Sequence, residues 1–157
     1  IHIKGSNGSG KSTLLRIILG ITIPTKGKIK KSIEEDISYL GHKNALKSYL
    51  SVEDNIKLMG LLNHHELKKN LETLGLKRML DIKVANLSYG QQKKLALLRI
   101  FMSNSNLIVL DEPFVGLDIE NQNILSNFLN NQLQNEKGII FTSHISCEID
   151  SKTLKID

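Results

Sequence analysis

Residues 5–12 read Gly5-Ser6-Asn7-Gly8-Ser9-Gly10-Lys11-Ser12, a glycine, four residues, then Gly-Lys-Ser, behind the apolar Ile1 and Ile3 and ahead of an apolar run. A loop of this spacing that opens a helix turns successive backbone N–H groups into a concavity and adds the positive end of the helix dipole. It is therefore suited to a triphosphate. The glycines keep side chains out of that nest. Lys11 is expected to reach the β- and γ-phosphates as a point charge, Ser12 to ligate Mg²⁺ and Thr13 to touch the α-phosphate. A second group lies far along the chain, where the apolar Leu107 to Leu110 run into Asp111-Glu112-Pro113. Two carboxylates at the carboxyl end of a buried strand stand where α/β sheets place their ligands. Asp111 is expected to hold Mg²⁺ through water and Glu112 to polarise the attacking water.

These groups need elements to position them. Ile1 to Ile3 reads as the end of a buried strand and Ser12 to Leu19 as a helix, with Gly20 past its end and Pro24 beyond. Thr25 to Lys28 reads as a turn into a short strand around Ile29, and Asp36 to Gly41 as a strand alternating at Ile37 and Tyr39. From Val52 to Leu80 apolar residues recur at helical spacing with a break at Gly75, which gives a small helical insert spanning approximately residues 46–86. Leu95, Leu98 and Phe101 or Met102 mark one face of the next helix, before the strand at Leu107 to Leu110. A last helix near Glu120 to Leu133 precedes a strand at Gly138 to His144. The expected fold is α/β, a mostly parallel sheet, in one domain spanning residues 1–157 without repeats or linkers.

The 157 residues are 40% hydrophobic, which suits a globular domain, and carry a net charge of +5. The lysines are scattered, and at 4% aromatic content no aromatic-basic interleaving is available to stack bases, so no nucleic-acid partner is expected. Such basicity equally suits an anionic membrane surface. Leu14 to Ile23, interrupted by Arg16 and Gly20, is too short to span a bilayer. The single Cys147 excludes an internal disulfide; it is read as a partly buried thiol in a reducing cytoplasm.

Leu87-Ser88-Tyr89-Gly90-Gln91, about twenty residues ahead of the acidic strand, resembles the signature of the ABC ATPases, whose usual form has glycine where Tyr89 stands. The likeness continues through Gly116-Leu117-Asp118, similar to that family's D-loop, and Thr142-Ser143-His144, similar to its switch histidine. It implies a P-loop NTPase with a RecA-like core, an ATP and Mg²⁺ cofactor set, and hydrolysis in a homodimer. In that dimer Ser88, Gly90 and Gln91 would face the partner's γ-phosphate, while Glu112 and His144 would be catalytic. Integral membrane transporter subunits are implied as partners, with the chain peripheral on the cytoplasmic face of the bacterial inner membrane.

Two departures from the pattern carry information. Where the family usually has a glutamine near Mg²⁺, Gly41-His42 stands, and His42 is a candidate ligand or a loop surface residue. "YLGHKNALKSYLSVEDNI", "LSYGQQKKLALLRI" and "DEPFVGLD" resemble one branch, the ATP-binding subunits of bacterial haem exporters of cytochrome c maturation. The family also carries strands and an adenine-stacking aromatic ahead of the loop, so an amino-terminal β region is expected to be missing here. The alternatives are another transporter branch, a non-transport ABC ATPase, and an ATP-sensing module. Repair-type relatives would need long coiled coils and translation-type relatives two cassettes, while a sensor would be expected to lack Glu112 or His144.

Overall fold

The computed structural model describes residues 1–30 and 36–157. Five strands, β1 (His2–Lys4), β2 (Ile37–Leu40), β3 (Leu107–Asp111), β4 (Gly138–Thr142) and β5 (Thr153–Lys155), form one sheet. Its order is β2-β3-β4-β1-β5 and every pairing is parallel. A parallel sheet must be covered on both faces, and alternation along β3 shows how. Ile108 and Leu110 join the larger core, which is shared with α4 (Tyr89–Phe101) and α5 (Ile119–Gln134). Val109 turns the other way, to Ile3 and to Leu15 of α1 (Lys11–Ile18). The apolar runs of β3 and β4 are therefore buried on two sides, and their carboxyl ends are fixed against each other in register, Asp111 opposite Thr142.

β4 lies between β1 and β3, so the loop after β1, the carboxylates at the carboxyl end of β3 and the residues after β4 emerge side by side at one edge of the sheet. α1 begins at Lys11, one residue earlier than its pattern suggested, because Gly10 adopts φ 91° and turns the chain into the helix. The α4 pattern at Leu95 and Leu98 understated its burial. Ala96, Leu97 and Ile100 are buried as well, since the helix is packed by the sheet on one side and the insert on the other.

Two expectations need correcting, and one strand was not foreseen. Ile29 is in no strand and is 42% exposed; among the described residues it has no neighbouring strand, and without ladder hydrogen bonds a short apolar run gains nothing by extending. Any continuation beyond Lys30 lies outside the described residues. The insert is broken at Gly60 as well as Gly75, both at positive φ (73° and 67°), giving α2 (Val52–Leu58), α3 (Leu67–Thr73) and single 3₁₀ turns at Lys77–Met79 and Val84–Asn86. Finally, β5 pairs with β1 although its residues are exposed, so no apolar alternation announced it.

Candidate active site

The phosphate loop joins β1 to α1. Gly8 and Gly10 hold φ of 85° and 91°, which a side chain would strain, and a Cβ on Gly5 would collide with the Ile156 carbonyl and Ser9 Oγ. Lys11 Nζ donates to the carbonyls of Gly5 and Ser6, both at 2.8 Å, so it closes the loop from within. No side chain caps α1, which leaves its first N–H groups without a side-chain partner at its N-terminus. Such a loop is a nest for anionic oxygens.

Asp111 ends β3 and Glu112 follows it. Asp111 is 2% exposed, and its Oδ1 accepts from Thr142 Oγ1 at 2.8 Å. The same Thr142 oxygen accepts the Glu112 N–H at 2.9 Å. Glu112 has φ 50°, an uncommon left-handed backbone for a non-glycine residue, and this turn sends its carboxylate toward His144. The His144 N–H donates to Glu112 Oε2 at 3.2 Å, and His144 Nε2 lies 3.4 Å from Oε1. Oε1 is otherwise without a hydrogen-bond partner. The carboxylate of Glu112 lines the same cleft as the phosphate loop, which is where a general base for water would have to stand.

One cleft of about 550 Å³ collects Asn7, Gly8, Gly10, Lys11, Ser12, Thr13, His42, Asp111, Glu112 and His144, with Val115 at its wall. Gly5, Ser6 and Ser9 contribute backbone to the loop rather than lining this cleft. The Ser12 hydroxyl and the Asp111 carboxylate are hard oxygen donors, a pair that fits Mg²⁺ accompanied by phosphate oxygens, and the His42 imidazole stands in the same cleft as a softer nitrogen donor.

The second group of sequence-predicted residues is elsewhere. Ser88, Gly90, Gln91 and Asp118 line a separate concavity of about 290 Å³. Ser88 caps α4: its Oγ accepts from the Gln91 N–H at 3.2 Å, while Gln91 Oε1 accepts the Ser88 N–H at 2.8 Å. This capping box occupies the acceptors and leaves the Ser88 hydroxyl proton and the Gln91 amide protons available to a ligand. The pattern Ser-x-x-Gln before an apolar helix signals the box in the sequence itself. Gly90 is set tightly, since a Cβ there would lie 2.5 Å from the Gly116 carbonyl. Asp118 caps α5, accepting the Asn121 N–H at 2.9 Å and its amide at 2.6 Å, and these bonds hold its carboxyl below the usual range.

Sequence reasoning passed over two residues. Thr142 was legible as a polar residue ending an apolar strand. Lys93 stands on the buried face of α4, 1% exposed, and donates to the Glu112 carbonyl at 3.5 Å. Burial pushes its ammonium down, against the attraction of Asp111 and Glu112. Cys147 is half-buried, its thiol pushed up by burial. Among the described residues, no helix is long and apolar enough to cross a membrane.

A family model described as ABC transporter matches residues 1–115. Over 159 residues the chain is 35% identical to the cytochrome c biogenesis ATP-binding export protein CcmA of Histophilus somni (strain 129Pt), covering 92% of this chain and 73% of that protein. A solved structure described as the ATP-binding subunit of an ABC transporter superposes with a TM-score of 0.83 at 25% identity, covering 99% of this chain and 73% of that one. An RNase-L inhibitor structure is similar at TM-score 0.72 and 26% identity over 92% of this chain, which spans only 28% of that longer protein.

Proposed function

The chain belongs to the ABC transporter family as an ATP-binding subunit, and from that premise we propose that it hydrolyses ATP within a dimer to drive export, with haem for cytochrome c biogenesis as the cargo. The observation that carries the ATPase reading is the single cleft in which the phosphate loop, Asp111, Glu112 and His144 meet. The loop of residues 5–13 binds the triphosphate, with Lys11 answering its charge. Mg²⁺, when bound beside Ser12 and Asp111, with His42 as a further candidate donor, supplies charge neutralisation at the transferring phosphoryl group. Glu112 takes the proton of the attacking water, and His144 fixes the orientation of that carboxylate.

The separation of Ser88, Gly90, Gln91 and Asp118 from this cleft supports a dimer in which each chain completes its partner's site. Residues 1–157 then act as one ATP-binding domain, with approximately residues 46–86 as a helical insert. Integral membrane subunits supply the path, which places the chain at the cytoplasmic face of the inner membrane. The haem assignment rests on the likeness to the cytochrome c biogenesis export protein and on Gly41-His42 with the segment that follows.

The test pairs phosphate release by the purified chain with a deletion strain of the source cell. Turnover abolished by Glu112→Gln, and loss of covalent haem from c-type cytochromes restored by the wild-type gene alone, are the expected results. Normal c-type cytochromes in the deletion strain would remove the haem assignment and leave the ATPase standing.

A further inference from the structure

Lys93 is the most deeply buried charged side chain among the described residues, at 1% exposure. Its neighbours Leu95, Ala96 and Leu97 fill the core around α4 with hydrocarbon, and a methionine at 93 would occupy similar volume without desolvating a cation. An ammonium here must be offset by specific partners. They are the Glu112 carbonyl at 3.5 Å and the neighbouring carboxylates of Asp111 and Glu112, with the Tyr89 ring centre 6.0 Å away.

Glu112 is where such an anchor matters. Its left-handed backbone, φ 50°, persists only if both flanking peptide groups are held. Thr142 holds its N–H from β4, and its carbonyl accepts both the Lys93 ammonium from α4 at 3.5 Å and the Val115 N–H of the following turn at 3.4 Å. A rotation about this residue would swing its carboxylate away from the His144 N–H, 3.2 Å from Oε2.

We propose that Lys93 is a positioning residue for hydrolysis: from the helix that Ser88 caps it pins the Glu112 carbonyl, and so aims the Glu112 carboxylate into the nucleotide cleft. Because Lys93 sits one turn beyond Tyr89, a shift of that helix end is carried to Glu112. The inference rests on the reading of Glu112 as the group that activates water.

The test measures steady-state phosphate release against ATP concentration for the wild type, Lys93→Met, Lys93→Arg and Glu112→Gln, with equilibrium ATP binding for each. Lys93→Met should lower kcat at least tenfold while KM and ATP affinity stay within threefold, and Lys93→Arg, which keeps the charge, should recover at least a third of the wild-type kcat. Intact ATP affinity shows that the variants are folded, since the phosphate loop does not include residue 93. A Lys93→Met kcat within threefold of wild type would overturn the inference. So would an arginine variant no better than methionine, or a loss of ATP affinity in parallel with kcat. A wild-type chain whose turnover Glu112→Gln leaves untouched would remove the ATPase reading and this inference together, whereas normal Glu112 dependence with an active Lys93→Met removes the inference alone.

Discussion

Thr142 donates to Asp111 across the β3–β4 pairing, Oγ1 to Oδ1 at 2.8 Å, and with the same oxygen accepts the Glu112 N–H. One hydroxyl, fully buried, thus orders both acidic residues. Replacing it with the isosteric Thr142→Val leaves a buried carboxylate oxygen and a buried N–H unpaired. The expected loss is roughly 2 to 4 kcal/mol of unfolding free energy, read as a lower urea midpoint at unchanged m-value, with turnover reduced at least tenfold. Thr142→Ser keeps the hydroxyl and should lose far less of either. Equal stability of the valine variant and the wild type would show that the pair orders nothing.

Lys11 and Glu112 separate binding from chemistry. Lys11→Ala removes the loop's cation and the bonds to the Gly5 and Ser6 carbonyls, so triphosphate binding should fall below detection. Glu112→Gln keeps a similar shape and should retain ATP while slowing hydrolysis by roughly two orders of magnitude or more. Equilibrium ATP binding alongside single-turnover hydrolysis distinguishes the two outcomes. Normal hydrolysis by Glu112→Gln would end its assignment as the base.

The phosphate loop was legible because its chemistry is local: Gly5 to Ser12 need only their own spacing and the strand and helix at either side. The carboxylates were legible for the same reason, as two acids ending an apolar run. Their partner Thr142 was quoted but carried no assignment, because the Asp111–Thr142 pairing depends on the register between strands that lie 31 residues apart. Lys93 was hidden by its type, since a lysine on a helix reads as solvated until packing places it under Glu112. The strand expected at Ile29 failed because alternation cannot supply a neighbour, and β5 went unseen because its side chains are exposed.

Asp118 gives the fold an acid-sensitive cap. Its carboxyl is held below the ordinary value by the Asn121 N–H and amide, so the folded chain binds that proton less readily than the unfolded chain. A depressed carboxyl contributes stability that is fully present above the unfolded value and is lost as pH falls through the folded one. Asp118→Asn still caps α5 but no longer titrates. The difference in Tm between wild type and Asp118→Asn should therefore be constant near neutrality and change in the wild type's disfavour below about pH 4. A difference independent of pH down to pH 2 would show that the cap bonds do not favour the charged form.

The separation of the two concavities makes the strongest claim about assembly. Lys11 and Ser88 lie in different clefts of one chain, so neither cleft alone holds both the loop and the helix end at Ser88. In a dimer of the proposed kind, Lys11→Ala damages the loop of its own chain and Ser88→Arg fills the helix end that serves the partner's ATP. Each homodimer of a single variant carries two damaged sites. Mixing the variants makes heterodimers in which the damaged loop and the damaged helix end fall in the same composite site, and the other site is intact. Hydrolysis should therefore return on mixing, up to about a quarter of the wild-type rate at equal amounts, since half of all dimers are mixed and each has one working site of two. Phosphate release measured beside a tagged pull-down that counts heterodimers decides the matter. Heterodimers in full measure with no recovered turnover would mean either that each chain completes its own site or that the two sites turn over only together, and a fused dimer with a single Ser88→Arg then separates these.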